Sequence, residues 1–195
     1  MKRKILVLFL LIISISINAQ KEWGIMGGLN LSNTSTKNMD WRLGGYIGAL
    51  YDIHIKGAFY VQPQLIYSYE ENKAKGESTG AAFCSQHSIS IPILASYKIH
   101  FTDDIGMRIN AGPYLQYSIF GREKTVALKN EQILPELGWW HHEFGEKLTY
   151  GVKAGIMIEK GKLFLDINGK YSLKKSLLNF DGHGTSLCIG IGYKF

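Results

Sequence analysis

An all-β fold is predicted for this chain: an eight-stranded antiparallel transmembrane β-barrel in up-and-down order. Three observations predict it. Eight segments alternate apolar and non-apolar residues with period two. The aromatic residues of the apolar face gather at the two ends of those segments. The connections between segments are alternately short and long.

The segments run Trp23–Leu31, Trp41–Ile53, Phe59–Tyr69, Phe83–Ile99, Ile105–Phe120, Leu148–Ile158, Leu163–Leu173 and Ser186–Phe195. The second presents Trp41, Leu43, Gly45, Ile47, Ala49, Tyr51 and Ile53 on one face, and the third Phe59, Val61, Pro63, Leu65, Tyr67 and Tyr69. The fifth follows with Ile105, Met107, Ile109, Ala111, Pro113, Leu115, Tyr117 and Ile119, and the sixth with Leu148, Tyr150, Val152, Ala154, Ile156 and Ile158. The last carries Leu187, Ile189, Ile191, Tyr193 and Phe195. No Asp, Glu, Lys or Arg stands on this face in any segment, although 19% of the chain is charged. The opposite face carries Arg42, Asp52, Glu70, Lys98, Arg108, Lys153, Asp166, Lys170 and Lys194 among many Gly, Ser, Asn and Gln residues.

Alternation alone does not say which face is outside. Aromatic placement does. With the strands threaded up and down, Trp23, Tyr51, Phe59, Tyr97, Tyr193 and Phe195 fall at one end. Trp41, Tyr67, Tyr69, Tyr117, Tyr150 and Tyr171 fall at the other. From Trp41 to Tyr51 the strand covers about 33 Å, or about 25 Å of height at a tilt of about 40°. That is the apolar band of an outer-membrane barrel, with amphipathic rings at headgroup level. Short turns around His54–Ala58, His100–Asp104 and Glu159–Lys162 alternate with longer connections, the longest Gly121–Lys147, as in barrels with short periplasmic turns and long external loops. Closure follows from bilayer physics, because an open strand edge in hydrocarbon leaves backbone groups without partners. Pro63, Pro92 and Pro113 lie within strands and each removes a ladder donor, which predicts bulges or local unpairing there.

The N-terminus predicts export. Lys2, Arg3 and Lys4 precede the apolar stretch Ile5–Ile17, and Ala19 offers a small residue for cleavage, the layout of a signal peptide over residues 1–19. The barrel domain is then residues 20–195. Half of the chain's net charge of +6 leaves with those three cations, and no later basic run exceeds Lys174–Lys175. A concentrated phosphate-facing patch for nucleic acid is therefore not expected. Cys84 and Cys188 fall on strands far apart around the barrel, which argues against a disulfide, and neither sits in a metal-ligand spacing.

Gly24–Ile25–Met26–Gly27–Gly28–Leu29–Asn30–Leu31–Ser32, Val61–Gln62–Pro63–Gln64–Leu65–Ile66–Tyr67–Ser68, Ile89–Ser90–Ile91–Pro92–Ile93–Leu94 and Ala111–Gly112–Pro113–Tyr114 resemble the strand motifs of PorT-like outer-membrane barrels of the Bacteroidetes, with Gln64 where Glu is common. The resemblance implies an outer-membrane location and an accessory role in secretion or envelope upkeep. Its motifs mark barrel construction, so no functional residue carries over. The terminal Phe195 resembles the aromatic that outer-membrane assembly machinery reads.

Three constellations could carry chemistry. Ser85 and His87 share the outward face of the fourth segment near its upper end, as nucleophile and base of a lipid-modifying hydrolase would. An acid to orient the histidine is expected only from the loops, at Glu77 or Glu143. The more economical reading of His87 is an interfacial belt residue. His141 and His142, beside Glu143 in the longest loop, match no strong metal spacing. Lys153 and Asp166 face the lumen about diagonally on neighbouring strands, as filler for a narrow interior. A short helical turn is expected over Glu131–Gly138.

The expectation is thus a non-enzymatic barrel in contact with outer-membrane lipid, with a plugged lumen. It has no catalytic, metal or cofactor residues, and any protein partners meet its external loops. The alternatives are the Ser85/His87 hydrolase and a soluble periplasmic lipocalin-like carrier.

Overall fold

The computed structural model describes residues 21–34, 39–75, 80–127, 137–138, 147–175 and 183–195. The signal peptide expected over residues 1–19 lies outside them. The eight expected strands are β1 Lys21–Thr34, β2 Arg42–Lys56, β3 Phe59–Lys75, β4 Gly80–His100, β5 Ile105–Ala127, β6 Leu148–Lys160, β7 Leu163–Lys175 and β8 His183–Lys194. Each pairs antiparallel with its sequence neighbours, and β8 returns to β1 in a ladder from Gly24↔Lys194 to Thr34↔Gly184. The ring is closed, so every long strand has a partner on both sides.

Strands β3, β4 and β5 continue past their expected upper ends, pairing as far as Lys75↔Ala81 and Gly80↔Ala127. Alternation reports contact with lipid, and it stops where the lipid does. Backbone pairing has no such limit. Two short rungs add to this end: Met39–Asp40 pairs with Lys73 and Ala74, and Leu137–Gly138 with Arg122 and Glu123. The second rung corrects the helical turn expected over Glu131–Gly138. Its last two residues are extended and hydrogen-bonded to β5, and residues 131–136 lie outside the described residues.

The lower end is tightly turned. Gly57 and Gly161 take φ of 58° and 57° in the turns after β2 and β6, a region where a side chain is strained. The turn after β4 is closed by Phe101 N–H donating to the Ile105 carbonyl at 3.0 Å and by Ile105 N–H donating to Thr102 Oγ1 at 3.1 Å.

Sidedness is unambiguous. Ile47, Leu163 and Ile191 are 65%, 63% and 70% exposed on the outer wall, whereas Asp52 and Arg108 are 1% exposed inside. Charge in and hydrocarbon out is the arrangement of a membrane barrel. It overturns the soluble-carrier alternative, which needs the apolar face turned inward.

The prolines act as expected in part. Rungs are missing between β2 and β3 at Pro63, between β3 and β4 near Pro92, and between β4 and β5 near Pro113, but the register is the same before and after each gap. A missing N–H removes a rung without adding a residue, so the strand does not slip. The bulges fall elsewhere, at His54/Lys56, His87/Ser88 and His183/Thr185. Cys188 is a free thiol buried inside β8, across the ring from the strand bearing Cys84.

Candidate functional site

The lumen is filled by side chains whose partners come from across the ring. At the lower end Asp52 of β2, Arg108 of β5, Glu159 of β6 and Lys194 of β8 converge. Arg108 Nη1 lies 3.1 Å from Asp52 Oδ2 and its Nε 2.8 Å from Glu159 Oε1. Lys194 Nζ pairs with both carboxylates, and Lys98 Nζ reaches Glu159 Oε2 at 2.9 Å from the mouth. The Arg108 guanidinium also lies over the Tyr60 ring at 4.3 Å.

From this cluster a relay of amides climbs one wall. Gln62 Nε2 donates to Asp52 Oδ1 at 2.7 Å, Gln64 Nε2 to Gln62 Oε1 at 2.7 Å, and Lys153 Nζ to Gln64 Oε1 at 2.8 Å. Gln62 and Gln64 flank Pro63, so the Gln-Pro-Gln motif places two amides in the lumen with the proline on the outer wall between them. Higher up, Lys170 Nζ donates to Glu70 Oε1 at 2.6 Å and to Gln116 Oε1 at 3.3 Å. Glu70 Oε2 accepts from Gln86 Nε2 at 2.9 Å and from Gln116 Nε2 at 3.4 Å.

Among the described residues the buried ionic groups balance. Asp52, Glu70, Glu159 and Asp166 face Arg108, Lys153, Lys170 and Lys194. Balance of this kind is needed where water is scarce, because an unpaired charge there is costly. Lys153 and Asp166 are not the diagonal pair expected. In the ladder Lys153 stands opposite Lys170 and Asp166 opposite Met157, and Asp166 Oδ2 accepts from Asn168 Nδ2 at 2.6 Å. Glu159, expected in a turn, is instead the last inward position of β6. The alternation that runs outward through Ile156 and Ile158 points to it, but the turn assignment hid it.

The inner face is also less uniformly polar than expected. Met26, Tyr46, Leu50, Ile66, Met157 and Phe164 pack together inside. Glycines make room for the rings: a Cβ on Gly192 would lie 2.1 Å from Phe164 Cζ, and one on Gly190 2.3 Å from Tyr46 Oη. Large side chains opposite glycine are a way to fill an eight-stranded interior.

Ser85 and His87 do line one space, on the outer wall near the upper end. It is a cleft of about 610 Å³ bordered also by Tyr69, Ile119, Phe120, Gly121, Arg122 and Lys147. Two cross-strand rows build it: Tyr69–His87–Phe120 and, one step higher, Glu71–Ser85–Arg122. His87 stacks on Phe120 with centroids 4.2 Å apart, and its Nδ1 is 2.7 Å from Tyr67 Oη. Glu71 is an outward acid that stopping the third segment at Tyr69 left unseen. It accepts the Tyr69 hydroxyl proton in a hydrogen bond. The other acids considered for His87, Glu77 and Glu143, lie outside the residues whose side chains are described, as do His141 and His142.

Over residues 18–178 the sequence matches the family described as "Outer membrane protein beta-barrel domain". No curated protein is significantly similar to it. Among solved structures, Ail, the attachment invasion locus protein of Yersinia pestis, is similar at 14% identity and a TM-score of 0.50, covering 89% of this chain and 98% of that one. OprG, an outer membrane protein of Pseudomonas aeruginosa, is similar at 11% identity and 0.52, covering 91% and 97%. The outer membrane enzyme PagL is similar at 12% identity and 0.48, covering 88% and 98%. Likeness at these identities speaks to the fold alone.

Proposed function

We propose, for a chain that belongs to the outer membrane protein beta-barrel domain family and resides in the outer membrane, that the barrel is a non-conducting, non-enzymatic scaffold. It holds external segments where they dock partner proteins, in an accessory role in secretion or envelope upkeep like that associated with PorT-like barrels. The observation that carries this reading is the filled lumen. Among the described residues, eight buried ionic side chains, charge-balanced and tied by amides, occupy the interior that a pore would need to leave to water. Such a core is a stiffening rod. It favours a display role over transport, and it puts any recognition at the ends of the strands.

The test of the plug is solute passage. Proteoliposomes of the refolded barrel are expected not to swell in isotonic sugar, and passage of a monosaccharide would refute the filled lumen as a barrier. For the docking role, photo-crosslinkers placed at the upper ends of β3 and β5 in intact cells are expected to give a discrete adduct with one protein.

A hydrolase reading keeps one specific observation in its favour, the shared cleft of Ser85 and His87. Against it, the Nδ1 of His87 is engaged by Tyr67 and its ring is packed on Phe120, as suits a belt residue. Lipid mass spectra of Ser85→Ala and His87→Ala cells decide between them. The scaffold reading expects spectra identical to wild type.

A further inference from the structure

The outer cleft exists because of one extra residue. Below it, β4 and β5 pair with Ser88 opposite Ser118; above it His87 stands opposite Phe120, so Ile119 is the added residue. A bulge shifts the alternation of its strand by one. Up to Tyr117 the odd-numbered residues of β5 face lipid, and beyond Ile119 the even-numbered ones do. Ile119 and Phe120 are consequently both turned outward, 38% and 51% exposed. Arg122, which an unbroken alternation would send into the lumen, stands exposed on the outer wall beside Ser85.

The bulge thus assembles a surface of two characters. Its lower wall is apolar and aromatic: Ile119, Phe120 and His87. Two cations border it: Arg122 above, and Lys147, one position on from the Leu148↔Tyr117 rung, at its side toward β6. The lower wall lies in the upper aromatic belt, level with Tyr69, and Arg122 is one row farther from the bilayer centre. The tight turns lie at the opposite end, which puts this belt on the external side.

We infer that this cleft binds a phosphate-bearing glycolipid of the outer leaflet, its phosphate on Arg122 and Lys147 and its acyl chains on Ile119 and Phe120. Three arguments select that occupant. The cleft opens sideways, on the wall that faces lipid. Its cations stand at headgroup height, where guanidinium and ammonium groups form charge-assisted hydrogen bonds to phosphate. Its apolar floor continues directly beneath them, so one amphiphile fills both halves. This function is separate from the scaffold reading, since it needs neither a plugged lumen nor a protein partner.

The experiment uses the full barrel refolded in neutral detergent, with bound lipid counted by native mass spectrometry. The probes are diphosphoryl lipid A, the same lipid dephosphorylated, and phosphatidylglycerol. Diphosphoryl lipid A is expected to be retained most strongly. Arg122→Ala combined with Lys147→Ala is expected to weaken it about tenfold or more, two charge-assisted contacts being lost. Lys160→Ala combined with Lys162→Ala, at the opposite rim, leaves retention unchanged. Heat-dependent gel mobility verifies folding. Should the double variant not fold, Lys147→Ala alone, outside the ladders, is expected to weaken retention about threefold. Wild-type retention by the folded charge variant overturns the site. Equal retention of the dephosphorylated lipid overturns the role of phosphate. Equal retention of phosphatidylglycerol overturns the glycolipid as occupant.

Discussion

The two ionic clusters of the lumen are built on opposite plans. The lower one is a mesh: two carboxylates, Asp52 and Glu159, share Arg108, Lys194 and Lys98, so each acid has more than one cation. The upper one is a single pair, Lys170 with Glu70, whose remaining bonds go to the neutral amides of Gln86 and Gln116. In the mesh, loss of Arg108 or Lys194 still leaves both carboxylates with a cation. The single pair has no such reserve, because an amide replaces a hydrogen bond but not a charge. Redundancy, rather than the number of contacts, therefore sets how much each residue matters.

Glu70→Leu is expected to have the largest effect, leaving the Lys170 ammonium buried against one amide oxygen. Breaking a buried pair from one side costs about 3–5 kcal/mol. Urea unfolding in lipid vesicles reads the loss, and a change below that of any lower-cluster variant would invert the comparison. Arg108→Met comes next, at about 2 kcal/mol, since Lys194 still serves both Asp52 and Glu159. Gly192→Ala acts through volume alone. Its methyl meets the Phe164 ring and the Ile25 carbonyl of β1, and overpacking of this kind costs about 1–3 kcal/mol. Removing the upper pair as a unit, Glu70→Gln with Lys170→Gln, is expected to be smallest, near neutral, because neither charge is left behind. A double-mutant cycle of Glu70→Gln, Lys170→Gln and the double variant measures the pair directly, and a cycle energy near zero would show that the upper charges act independently.

The outer wall obeys a different rule from the lumen. Its residues were legible one by one, since lipid asks the same of each: no charge, and rings at the headgroups. Trp23 stacking on Phe195 at 4.7 Å and Phe59 against Tyr97 at 5.0 Å are belt residues identified from position alone. Ser85 and His87 were also legible as outward neighbours near the upper rim. Arg122 was not, because its side depends on Ile119, and no residue type in Tyr117–Arg122 announces a bulge. The prolines, which do announce themselves, removed rungs and left the register intact. Glu71 and Glu159 lay two residues and one residue beyond where the alternation was cut off.

Strand geometry sends successive side chains to opposite faces, so a period of two and an uncharged face sufficed in the sequence to settle the strands, and the aromatic belts with the short and long connections settled membrane and sidedness. Pairing inside the barrel was decided only by the tertiary structure. Lys170 and Glu70 are 100 residues apart, and Lys194 and Asp52 142. Groups that distant meet only once closure and register bring their strands to the same height. The physical reason is one of range: facing is a local property of the backbone, whereas partnership in a lumen belongs to the whole ring.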